Sequence, residues 1–184
     1  MKRVAAVLLL LLTPGAVSCG QRQQQGSTVV LVVRHADKAS DAEDSPLDEA
    51  DVRRAQALDA VAADAGVSAI YATQFKRNRD TAQPLAQHTG VAVTEAPVNL
   101  QNPGDYGQRL ARDIIDKHRG QTVPVVGHGN TVASIVEVLT GRAQQLGEIQ
   151  YGDLLIVTVP PSGPAGLIRA QYGASAAVGG MMKQ

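Results

Sequence analysis

"VVLVVRHADK", residues 29–38, is the stretch whose reading decides the fold. Its first five residues are uninterrupted β-branched and aliphatic side chains, the pattern of a strand covered on both faces. The run stops at Arg34 and His35, followed by the small Ala36 and the carboxylate of Asp37. A covered strand that hands over a guanidinium and an imidazole at its end marks a meeting place of polar side chains. In open α/β sheets, ligands sit beyond the carboxyl ends of the strands.

Outward from this stretch the chain alternates between strand and helix signals. "SPLDEADVRRAQALDAVAADAG" (45–66) reads as a helix. Asp48 is its cap, Leu58, Val61, Ala62 and Ala65 its inward stripe, and Gly66 its stop. "SAIYAT" (68–73) is a second strand, residues 78–90 a second helix, and 91–93 a short strand. A third helix is expected over 106–118, with Leu110, Ile114 and Ile115 turned inward. "TVPVVGH" (122–128) repeats the opening pattern, a covered strand ending in His128, and a helix follows over 131–139 with Gly141 behind it. "DLLIVTVP" and "AGLIRAQY", joined by "PSGP", read as a terminal hairpin. The class is therefore α/β, with a mostly parallel central sheet and an antiparallel edge.

Composition sets the outer bounds. A chain of 184 residues, 44% of them hydrophobic, supports one domain with a sizeable core. Aromatics are only 3%, and 17 basic residues balance 17 acidic ones. Nucleic acid is not an expected partner, because stacking platforms and a basic footprint are both missing.

Residues 1–19 are expected to be a signal peptide. Lys2 and Arg3 precede a nine-residue apolar run, which is followed by "TPGAVSC". The run is too short to span a bilayer as a mature helix. Cys19, the sole cysteine, stands where such a signal would be cut, and "AVSC" resembles the lipobox of bacterial lipoproteins. Cys19 is thus the expected lipidation site of an exported, membrane-anchored chain, with plain secretion as the alternative. Residues 20–27 then form a polar linker, 28–172 the folded domain and 173–184 a tail. Without Lys2 and Arg3 the 17 basic residues become 15, against 17 acidic, so a lipid anchor and not surface charge would hold the protein at a membrane.

The chemistry-bearing residues are Arg34, His35, Arg77 in "TQFKRNRDTA", and His128 in "VVGHGNT". Two arginines and two histidines make a poor metal set, since Arg does not coordinate and two His leave zinc underliganded. No metal or other cofactor is expected. The set suits a phosphoryl group: Arg forks match its oxygens, and a neutral imidazole approaches an anion without repulsion. The amides of Gly129, Asn130 and Thr131, opening a helix, add donors for an anion.

"RHADK", "IYATQFKR", "PVVGHGNT" and "YGDLLIVT", in that order, resemble the histidine phosphatase superfamily, the phosphoglycerate mutase-like fold, over residues 28–158. They are especially similar to its small exported or lipid-anchored phosphatase members. The resemblance implies a three-layer sandwich and hydrolysis of a phosphate ester or related phospho-compound. His35 would become the phosphohistidine, and Arg34, Arg77 and His128 would clamp the phosphoryl oxygens. Mutase activity is not expected, because the chain lacks the extra segments that mutases use. The substrate would be a small phosphorylated molecule or a phosphoprotein, selected by loops 38–47 and 96–106. The family's usual Gly after the first His is Ala36 here, and its proton-donating acid has no clear match. Asp37 and Glu95 are the two candidates. The rival reading is a non-catalytic phospholigand-binding lipoprotein of the same fold. His88, His118 and Arg79 are expected at the surface, Phe75 in the core, and the acidic stretch 37–51 in a solvated loop and cap.

Overall fold

A computed structural model describes residues 26–37, 40 and 44–173. The expected signal peptide with Cys19, the linker up to residue 25 and the tail from residue 174 lie outside the described residues. Among those described, no helix is long and apolar enough to cross a membrane.

The elements follow the order β1 (Thr28–Arg34), α1 (Glu49–Ala62), β2 (Ile70–Ala72), α2 (Lys76–Thr89), β3 (Val93–Glu95), α3 (Tyr106–Lys117), β4 (Thr122–Gly127), α4 (Gly129–Thr140), β5 (Asp153–Val159) and β6 (Gly166–Gln171). The six strands form one sheet in the order β3-β2-β4-β1-β5-β6. β3, β2, β4 and β1 run parallel, and β5 and β6 are antiparallel to their neighbours. This is the expected α/β class, a mostly parallel sheet with an edge hairpin.

Alternation along β1 explains the two layers that cover the sheet. Val30 and Val32 pack with Leu110, Ile114, Val132 and Ile135 of α3 and α4. Leu31 and Val33 pack with Leu58, Ala62, Ala82 and Leu85 of α1 and α2. Side chains two apart share a face, so an unbroken apolar strand must be sandwiched. The chain steps outward from β1 to β2 and β3, then returns inward to β4. Right-handed crossovers put helices of opposite direction of travel on opposite faces.

α1 begins as expected, with the Asp48 carboxylate accepting the Asp51 amide at 2.8 Å. Its inward residues are Asp51, Ala55, Leu58 and Ala62. Val61, expected inside, is 53% exposed, and Ala65 is also exposed. The inner face begins with the polar Asp51, bonded to Arg54 at 3.0 Å, so a stripe drawn through apolar residues alone is rotated off the true one. β3 lies two residues beyond the expected 91–93, at the half-exposed sheet edge where burial imposes little pattern. α2 starts two residues earlier than expected, at Lys76, whose amide donates to the Asp44 carboxylate. Pro124 is accommodated inside β4 because the ladder to β2 begins one residue later, at Val125. α3 and α4 approach so closely that a Cβ on Gly107 would lie 2.2 Å from Ser134 Oγ.

Candidate active site

β1 and β4 are adjacent and parallel, and Arg34 is opposite Gly127. The chain leaves β1 toward β2 on one side and leaves β4 toward β5 on the other, so a topological switch point, where open α/β sheets bind ligands, falls between their carboxyl ends. The His35 amide extends the ladder by donating to Gly127 O at 2.9 Å. His128 is the N-cap of α4, and its amide donates to Thr131 Oγ1 at 2.9 Å. The two imidazoles therefore lie side by side, ring centroids 5.0 Å apart and edge to face.

Arg77 comes from the first turn of α2 and is buried. Its Nε donates to His35 Nε2 at 3.3 Å, and its guanidinium lies 4.6 Å from the centre of the Phe75 ring. Two neighbours lock that turn in place. Asn78 Nδ2 donates to the carbonyls of Val126 and Gly127 at 3.1 and 3.0 Å, tying α2 to the end of β4. Thr81 Oγ1 accepts the Ala36 amide at 3.0 Å and donates to Arg77 O at 2.7 Å, tying it to the end of β1. Arg34 completes the group. Its Nη1 donates to Ile149 O and its Nη2 to the Tyr151 hydroxyl, both at 2.9 Å, while its Nε is buried without a partner.

The hydrogen bonds fix the tautomer of His35. Nδ1 lies 2.6 Å from Ala36 O, and a carbonyl oxygen only accepts, so Nδ1 carries the hydrogen. Nε2 then holds the lone pair, which agrees with its position as acceptor of a guanidinium N–H. Burial pushes the His35 pKa down to about 4, reinforced by the charges of Arg77 and Arg34. Burial lowers His128 to about 3, with help from His35 and the same arginines. Both rings are neutral at neutral pH, flanked by two fixed cations.

This depression has a measurable consequence. Between the ordinary histidine value of 6.5 and about 4, the unfolded chain takes up a proton that folded His35 refuses. Stability is therefore full above pH 6.5 and falls as pH drops through this window, on the order of 3 kcal/mol for His35 alone. Urea unfolding from pH 7 to 4 should show a steeper loss for the wild type than for His35→Asn. Parallel losses would mean that the imidazole is not held neutral.

The four residues singled out in the sequence are thus brought together. Glu95 is not with them: it pairs with Arg79 at 3.2 Å, and its side chain is 49% exposed. It lines a separate cleft of about 590 Å³ beside α3, with Tyr71, Tyr106 and Arg112. Asp37 does reach the site, through a hydrogen bond to the Tyr151 hydroxyl. Phe75 is buried, its ring 5.3 Å from that of His128. His88 is exposed beside Asp59, whereas His118 is partly covered and hydrogen-bonds the Tyr71 hydroxyl at 3.1 Å. Thr73, Asn78, Thr81 and Tyr151 escaped the sequence reading. Asn78 and Thr81 lie next to and one turn beyond Arg77, so a polar stripe on α2 was there to be seen. Thr73, which bonds His128 Nε2 at 2.9 Å, opens the stretch "TQFKRNRDTA", and Tyr151 opens "YGDLLIVT", so a signal stood at both without naming their partners. Among the described residues, no three of His, Cys, Asp and Glu gather as metal ligands do.

Residues 30–98, which include Arg34, His35 and Arg77 but end before His128, match the family model of the Histidine phosphatase superfamily (branch 1). The match supports a phosphatase of that class. None of the curated proteins matches the chain. In fold the chain is similar to a mycobacterial hydrolase ("Mycobacterial hydrolase 2"), with a TM-score of 0.65 at 16% identity, covering 82% of this chain and 94% of that one. It is similar to the protein histidine phosphatase SixA, solved with tungstate, with a TM-score of 0.63 at 17% identity and coverages of 78% and 96%. A mycobacterial glucosyl-3-phosphoglycerate phosphatase gives a TM-score of 0.61 at 16% identity, with coverages of 81% and 100%. At these identities the likeness is one of fold, the phosphoglycerate mutase-like fold.

Proposed function

We propose that this protein hydrolyses a phosphate ester or related phospho-compound through a phosphohistidine formed on His35. The observation that carries the reading is the orientation of one ring. Ala36 O holds Nδ1–H, so the Nε2 lone pair is directed toward the Arg77 guanidinium, with the His128 ring beside it. A neutral imidazole in that position attacks phosphorus without repulsion from the phosphate charge. Arg77, His128 and the unpartnered Nε–H of Arg34 are the donors for the transferred oxygens. Water then attacks the phosphoenzyme.

Turnover of p-nitrophenyl phosphate is the test, since its leaving group departs without protonation. Steady release of nitrophenolate is expected. Saturable binding of inorganic phosphate without turnover would favour the rival, a phospholigand-binding protein of the same fold.

We also propose that the chain is exported and anchored through lipid on Cys19, the reading of "AVSC" behind an apolar run. Several acyl chains anchor firmly where one anchors marginally. The full-length protein should sediment with membranes, and Cys19→Ser should release it or leave it unprocessed. Fully soluble wild-type protein, cut before another residue, would refute the anchor and leave the phosphatase proposal standing.

A further inference from the structure

The phosphatase reading leaves one proton without a source, because an ester oxygen other than a nitrophenolate leaves poorly as an anion. Neither imidazole supplies it: both are neutral, and the hydrogen on His35 is committed to Ala36 O. Among the described residues, the carboxylates near this edge of the sheet are few. The ionisable groups that act on His35 are Arg77, Arg34 and Asp37, and only the last is an acid. Those that act on His128 are His35, Arg77 and Arg34, with no carboxylate among them. Glu95 is held by Arg79 in the cleft beside α3.

Asp37 is held in turn by a side chain from the opposite part of the sequence. Tyr151, just before β5, lays its ring 3.9 Å from the Arg34 guanidinium carbon and 5.8 Å from the His35 ring centre. Its hydroxyl accepts Arg34 Nη2 at 2.9 Å and is hydrogen-bonded with Asp37. One tyrosine thus fixes both the phosphate-facing arginine and the nearby carboxyl group.

Resting on the phosphatase reading, we propose that Asp37 is the proton donor to the leaving group, with Tyr151 as the residue that positions it. The lone pair of His35 Nε2 forms a bond to phosphorus, the bond from phosphorus to the ester oxygen breaks, and that oxygen takes the proton of the Asp37 carboxyl. In the second half, the Asp37 carboxylate takes a proton from water as the water oxygen bonds to phosphorus. The phosphorus–nitrogen bond then breaks and its electron pair returns to Nε2. Asp37 thus ends in the state in which it began.

The test is the dependence of kcat/KM on the leaving group, read on aryl phosphates from p-nitrophenyl to unsubstituted phenyl phosphate. General acid catalysis is worth about 10²- to 10⁴-fold where the leaving group needs it. Asp37→Asn should therefore lose about 10²-fold more on phenyl than on p-nitrophenyl phosphate, steepening the dependence. Tyr151→Phe, which keeps the ring over Arg34 and removes only the hydroxyl, should steepen it in the same direction by less. A structural role alone would lower all the esters by one factor. Lines parallel to the wild type for both variants would overturn the assignment while turnover itself upheld the phosphatase. No wild-type turnover of any ester would overturn both.

Discussion

His35→Ala is expected to abolish turnover of p-nitrophenyl phosphate, a loss on the order of 10⁴- to 10⁶-fold, as when a nucleophile is removed from a machinery that acts as a unit. No neighbour can take over the attack. The His128 ring is 5.0 Å away, with its Nε2 engaged by Thr73, and the two arginines carry no lone pair to offer. The fold should survive, because His35 ends a strand and fills no part of either apolar layer. Below pH 6.5, removing a ring that burial has stripped of its ordinary basicity also relieves a cost of folding. The check pairs initial rates with the urea midpoint, and adds acid-labile labelling of the wild type by a ³²P-phosphorylated substrate. A well-folded variant with more than trace activity would rule out the phosphohistidine.

Arg77→Ala is expected to lower kcat/KM by about 10²- to 10³-fold, the scale of losing one donor aimed at developing charge. Arg77 is 7% exposed, its guanidinium near the Phe75 ring and bonded to His35 Nε2, so its charge acts where water screens it little. Arg77→Lys should recover only part of the loss. An ammonium supplies a point charge, but neither the planar fork nor the face that packs on Phe75. The Lys variant matching the wild type would argue against clamping by the fork. A collapse of stability equal to the loss of rate would argue that Arg77 mainly holds α2 to the sheet.

Much of this site is legible in local sequence. An unbroken apolar strand, whose successive side chains point to opposite faces, must be sandwiched, so β1 and β4 were bound to lie inside a covered sheet. Their last residues then fall at its carboxyl edge, which is why His35 and His128 could be named from 29–38 and 122–128 alone. Arg77 follows from opening a helix behind a third strand. Where burial imposes no pattern, local sequence misleads: β3 sits at the edge, two residues beyond the expected 91–93, and Val61 is exposed rather than inward.

Only the tertiary structure decided which partners these side chains meet. Arg34 and Tyr151 are 117 residues apart, and nothing near either one in the chain announces the other. The same holds for Thr73 on His128, 55 residues away, and for Asn78 on the end of β4. The tautomer of His35 and the neutrality of both rings arise in the same way. Which nitrogen carries the hydrogen depends on the carbonyl it touches, and the lowered pKa values depend on how completely the folded layers exclude water. Residue type and spacing determine which groups reach the sheet edge; chain closure determines their contacts and solvation, and through these their chemical state.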